Sequence, residues 1–231
     1  MSDEPYFAGA YLLVKPGPLI GAGGLTASAC LAEMAPDSWA IGWANVEPAD
    51  RERHAGQFGI PARALPEVIK WATDEFDRSF KWPNVFTELA AAREFRERFI
   101  PGGVHLVGVG LPADLVPAFL SLSAPPPAQP GYAPVGATGV HEVVRAGRVL
   151  TAGGEFRGFE VLGYDEAGQF CSFRCNGLEV DFQKELGVQF NRWGLLNEES
   201  AARQCAEYAG RPEVGTCARW WHPWAVVEYT C

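Results

Sequence analysis

Apolar residues recur at helical spacing twice in the first half of the chain. Leu65, Val68, Ile69, Ala72, Phe76 and Phe80 fall at i, i+3, i+4, i+7, i+11 and i+15, which predicts one helix with a single buried stripe. Trp71 widens that stripe at one edge, and Pro66 suits the first turn, where its missing N–H costs nothing. Val85, Leu89, Ala92, Phe95 and Phe99 predict a second helix, opened by Asn84 as N-cap and stopped by Pro101-Gly102-Gly103. Short runs rich in aromatic and branched residues predict strands at 6–14, 38–45 and 104–110, and 25–34 leans the same way. Residues 112–120 read as a short helix.

The second half is more clearly punctuated. Residues 159–164 and 170–175 predict a strand pair joined by Asp165-Glu166-Ala167-Gly168-Gln169, whose Gly suits a positive φ. Asn176-Gly177-Leu178-Glu179 has the spacing of a capping box, with Leu178, Phe182 and Leu186 as the buried stripe and Gly187 as the stop. Asn197-Glu198-Glu199-Ser200 opens a last helix, with carboxylates at its positive end; Ala201, Cys205 and Tyr208 line one face and Gly210 closes it. Residues 216–231 are strand-like but interrupted by Pro223.

Between the halves, 124–139 holds five prolines and three glycines, which bars regular structure and favours an extended connector. The reading is an α+β protein of two small subdomains, 1–123 and 140–231, each mixing antiparallel strands with two or three helices.

Composition narrows the class. The 231 residues are 48% hydrophobic and 12% aromatic, too apolar for a disordered chain. No apolar run has the roughly 18 residues of a membrane span. A net charge of −9 repels phosphate backbones and anionic lipid, and the densest basic stretch, 93–98, alternates with Glu94 and Glu97. Neither nucleic acid nor membrane is therefore the expected partner. The acidic start, Met1 to Pro5, lacks the basic and apolar regions of a signal peptide and predicts a cytoplasmic protein. Six cysteines without a CxxC pair read as free, mostly buried thiols.

Candidate chemistry is sparse. Cys171 and Cys175 lie about 13 Å apart if 170–175 is a strand, too far for a shared disulfide or zinc ion, so no cofactor or metal is expected. Cys175 stands where a predicted strand meets a predicted helix. A helix N-terminus there would lower its pKa, and His222 in the same half could serve as base. Gly21-Ala22-Gly23-Gly24 lacks the rest of a phosphate-loop signature. Glu160 and Asp165 flank a strand, but Asp165 is more simply a turn residue. Asn191-Arg192-Trp193-Gly194 forms a loop between helices.

The compositional oddity is 219–224. If it is extended, Trp220, His222 and Trp224 share one face and Arg219, Trp221 and Pro223 the other. An edge strand cannot easily bury aromatics on both faces, and Trp and Arg dominate desolvated interfaces. Arg219, Trp220, Trp221, His222 and Trp224, with Arg192 at the rim, are the expected binding residues. The functional reading is a protein that binds another protein, an immunity-type or neutralising protein that occludes a basic enzyme. The alternatives are a Cys-dependent hydrolase or transferase, with Cys175 as nucleophile and His222 as base, and a structural subunit of a larger assembly, including a homo-oligomer.

Overall fold

The computed structural model describes residues 5–17, 24–36, 47–76, 78–122, 136–150 and 153–230. The expected strand at 38–45 and most of the connector lie outside them. Strand β1 (Tyr6–Pro16) pairs antiparallel with the short β2 (Ala32–Ala35) and with β5 (His105–Pro112), setting Tyr11 opposite Gly108. A small hairpin, β3 (Phe80–Lys81) and β4 (Val85–Phe86), extends the sheet beyond β1. In the second half β6 (Glu155–Tyr164) pairs with β7 (Phe170–Ser172) and with β8 (Trp220–Tyr229). β5 pairs in turn with β8, Val109 opposite Val226. The order is β3-β4-β1-β5-β8-β6-β7, with β2 off β1. Strands from both sides of the connector thus share one antiparallel sheet, and with the helices the protein is α+β.

Alternation along the strands fixes what each face buries. Tyr11, Leu13, Leu106 and Tyr229 face α1 (Pro48–Gln57), α2 (Leu65–Glu75) and α3 (Leu89–Phe99) through Phe58, Val68, Trp71 and Phe95. Phe159, Val161, Trp221 and Ala225 face α6 (Glu179–Leu186) and α7 (Glu199–Ala209) through Phe182, Ala202 and Cys205. On the other face, Leu12, Val107, Trp224 and Leu162 meet α4 (Val116–Leu120) and α5 (Gly139–Arg145) through Phe119, Val140 and Val144.

Several local expectations are corrected. The α2 stripe ends at Glu75: Phe76 turns out of the helix and Phe80 begins a strand. Trp71 belongs to the core, its ring centroid 4.8 Å from that of Phe95, while Ile69 is only partly buried. Asn84 is not the cap of α3; it holds φ 65 in the β3–β4 turn, and α3 begins five residues later. The expected strand over 25–34 forms only at β2. The strand expected over 170–175 stops at Ser172, because the chain turns through 173–178 before α6. Asn176 is not a cap either: its amide donates to Ser172 O (3.2 Å) and its oxygen accepts from Cys217 N (2.9 Å). Gly187 ends α6 with φ 65, as the pattern predicts.

Pro223 is accommodated because β8 is not uniformly paired. β6 accompanies it throughout, but β5 reaches only Ala225, so the Pro-bearing part has a ladder on one side alone.

Candidate functional site

The 219–224 ribbon is core, not a free aromatic surface. Trp224 is fully buried, its ring edge-on to Phe119 and Phe170 with centroids 5.4 and 5.1 Å away. A Cβ at Gly9 would overlap the Trp224 ring, and one at Gly163 would overlap Trp221. The absence of side chains there is what admits the two indoles. Trp221 is buried on the opposite face and donates from Nε1 to Thr216 Oγ1 (2.9 Å). Trp220 and His222 are half-buried. Only Arg219 is exposed; it pairs with Glu166 (2.8 Å) and lies over Trp220. Arg192 stacks on Trp193, 3.9 Å from the ring centre, and Arg157 stacks on the same ring at 4.5 Å. Among the described residues, Val149 and Val180 are the only exposed large hydrophobics.

Among the described residues no hydrogen bond joins Cys175 to His222, and the two have different neighbours. His222 lies opposite Leu162 on β6, and Ser172 of β7 lies beyond Leu162. Its ring packs against Phe119, and its Nε2 has no hydrogen-bond partner among the described residues. Burial lowers its pKa to about 4. Cys175 sits on the turn after β7, donating from Sγ to Ser172 O (3.0 Å) and lying 3.5 Å from Ser28 Oγ. The helix begins four residues later, so no helix dipole favours a thiolate. Although Cys175 is exposed as a residue, desolvation of its sulfur pushes the thiol up to about 11 and the neighbouring Cys30 adds to it, the reverse of an activated nucleophile.

The same turn covers a buried polar cluster. Glu160, 2% exposed, accepts from Thr26 Oγ1 (2.5 Å) and Ala27 N (3.1 Å), and Ser28 N donates to Thr26 Oγ1. Burial raises its pKa, while the hydrogen bonds of Thr26, Ser172 and Ala27 and the charge of Arg174 pull it back. Asp165 is a turn residue, accepting from Gln169 N (2.8 Å). Glu160 therefore pins 24–28 onto β6. A pocket of about 70 Å³ beside it is lined by Ala27, Met34 and Phe170 and by Glu33 and Gln169, none of them paired with a nucleophile.

The larger recess lies between α2 and α3. It encloses about 270 Å³ and is lined by Glu67, Lys70, Trp71, Asp74, Glu75, Glu94 and Arg98. Trp71 forms the apolar floor, and the six other residues are all charged. Two carboxylates are matched internally: Asp74 pairs with Lys70, and Glu67 with Arg98 at 3.9 Å. Glu75 pairs with Arg78 outside the recess. Glu94 has no cation within pairing distance among the described residues. The recess is thus an acidic cleft with a largely buried tryptophan at its base. Glu94 is exposed, as a solvated helix face predicts; that it also faces α2 is not shown by spacing within α3.

Among the described residues, no group of three metal-ligating side chains converges, and no helix is long and apolar enough to cross a membrane. No protein-family model matches the chain, and neither a curated protein nor a solved structure shows significant similarity to it.

Proposed function

We propose that this chain is a protein-binding protein of the neutralising, immunity type, and that the α2–α3 cleft receives a basic side chain of its partner. The observation that carries this reading is the cleft itself: four carboxylates against two cations around Trp71, with Glu94 uncompensated. The net charge of −9 supports it, because a field of that sign steers a basic partner and speeds association. The raised pKa of the Cys175 thiol, and the lack of a hydrogen bond between it and His222 among the described residues, argue against the thiol-enzyme alternative.

Calorimetric titration with a short oligo-arginine peptide tests the reading. Binding should weaken as salt rises. The Asp74→Lys/Glu94→Lys double variant, checked for unchanged circular dichroism, should bind at least about tenfold more weakly, or about 1.4 kcal/mol. Equal affinity for the variant and the parent would overturn the assignment to this cleft.

A further inference from the structure

Four of the cysteines meet at the free edge of the sheet. Cys171 lies on β7 with its thiol against that of Cys217, and the Cys175 thiol on the following turn lies against that of Cys30. Hydrogen bonds bring the segments that carry each pair together. Asn176 bridges Ser172 O and Cys217 N, holding the 216–218 loop to the turn after β7. The contact of Ser28 Oγ with Cys175 Sγ and the Glu160–Thr26 bond hold the 24–31 segment to the same turn from the other side. In each pair at least one thiol is exposed: Cys217 in one, Cys30 and Cys175 in the other. Cys205 is fully buried in the α7 packing.

We infer that Cys30 with Cys175, and Cys171 with Cys217, are two dithiol pairs that close into disulfides by exchange with a small-molecule disulfide such as oxidised glutathione. In the first pair, the Cys30 thiolate attacks one sulfur of the small disulfide and releases one glutathione thiolate, leaving a mixed disulfide on Cys30. The Cys175 sulfur then attacks the Cys30 sulfur and expels the second glutathione. Two electrons pass from the cysteines to the small disulfide, and the two cysteine protons end on two glutathione thiols. Cys217 and Cys171 follow the same course, the exposed Cys217 attacking first. The raised pKa of Cys175 suits the second, resolving step rather than the first. The Cys30–Cys175 link would clasp the segment that covers Glu160 to the sheet edge, a tether across 145 residues of chain that restricts the unfolded state.

The test uses the full chain with Cys231, outside the described residues, replaced by Ser. It is equilibrated in glutathione buffers of rising oxidised fraction, alkylated, and digested without reduction by trypsin and a glutamyl endopeptidase. Cleavage at Arg174 separates Cys171 from Cys175, and cleavage at Glu207 and Glu213 separates Cys205 from Cys217. The expected products are Cys30–Cys175 and Cys171–Cys217 linked peptides, with Cys205 alkylated throughout. Oxidation should also raise the melting temperature, and Cys30→Ser should reduce that rise while keeping the Cys171–Cys217 link. Glutathione adducts that persist on Cys30 and Cys217 without internal links, or links between members of different pairs, would overturn the inference.

Discussion

Gly9 and Trp224 decide how the middle of the sheet is filled. The indole occupies the space a Cβ at Gly9 would need and is fully buried among Phe119 and Phe170. Gly9→Ala should therefore cost about 1–3 kcal/mol by overpacking. Trp224→Ala should cost about 3–5 kcal/mol by leaving a cavity. Denaturant melts would show both as a lower midpoint, and a neutral Trp224→Ala would contradict its place in the core. The tryptophan cluster was visible in the sequence, but its burial was not. The residues that enclose it, Gly9, Phe119 and Phe170, lie between 54 and 215 positions away in the chain, and no local pattern records that they converge. The cysteines tell the same story: the contact of Cys30 with Cys175 is invisible to spacing, whereas the neighbours Cys171 and Cys175 point their sulfurs at different partners.

At the scale of elements, strong periodicity served well and weak periodicity did not. β1, β5, β6, α2, α3, α6 and α7 all fall where alternation or a helical stripe indicates them. The α2 stripe overran because Phe76 and Phe80 continue its spacing by coincidence while belonging to the turn and hairpin that follow. α1 offers no such stripe, since Ala55 and His54 are its only buried residues, and α5 spans just seven. Asn176 shows how a motif can mislead: the spacing of a capping box is present, but a loop 41 residues later takes its side chain. Asn176→Ala should thus leave α6 helicity unchanged and instead loosen the 216–218 loop. Faster amide exchange at Cys217 would confirm this, and fraying of α6 would contradict it. Within the α2–α3 pair, Phe95→Ala should lower stability by about 3–5 kcal/mol and distort the cleft above it, because Trp71 rests on that ring.

Two desolvated histidines, buried His141 and half-buried His222, give the molecule a pH dependence. Burial lowers both His141 and His222 to about 4, with Arg145 adding to the effect on His141 and the Phe119 carbonyl opposing it. An unfolded histidine titrates near 6.5. Between about pH 6.5 and about pH 4 the unfolded chain therefore binds protons that the native state refuses, and stability falls as pH drops through that window. Each site contributes on the order of 3 kcal/mol at the lower limit. Glu160 and Asp165 act in the opposite sense, since burial raises their pKa values and the native state gains by protonating them. His222→Gln should flatten the loss of melting temperature between neutral pH and about pH 5; an unchanged slope would mean that His222 is not the titrating group. The sheet that spans both halves makes such losses global, because β8 joins β5 of the first half to β6 of the second. Among the described residues, the recess between α2 and α3 is lined almost wholly by charged side chains. The most direct test of its proposed role is a two-dimensional NMR titration of the isotope-labelled protein with an oligo-arginine peptide, following the Trp71 indole and the backbone amides. The account predicts shifts confined to the Trp71 indole and to residues around Asp74 and Glu94; shifts centred on Trp193 or Trp220, with Trp71 unmoved, would contradict it.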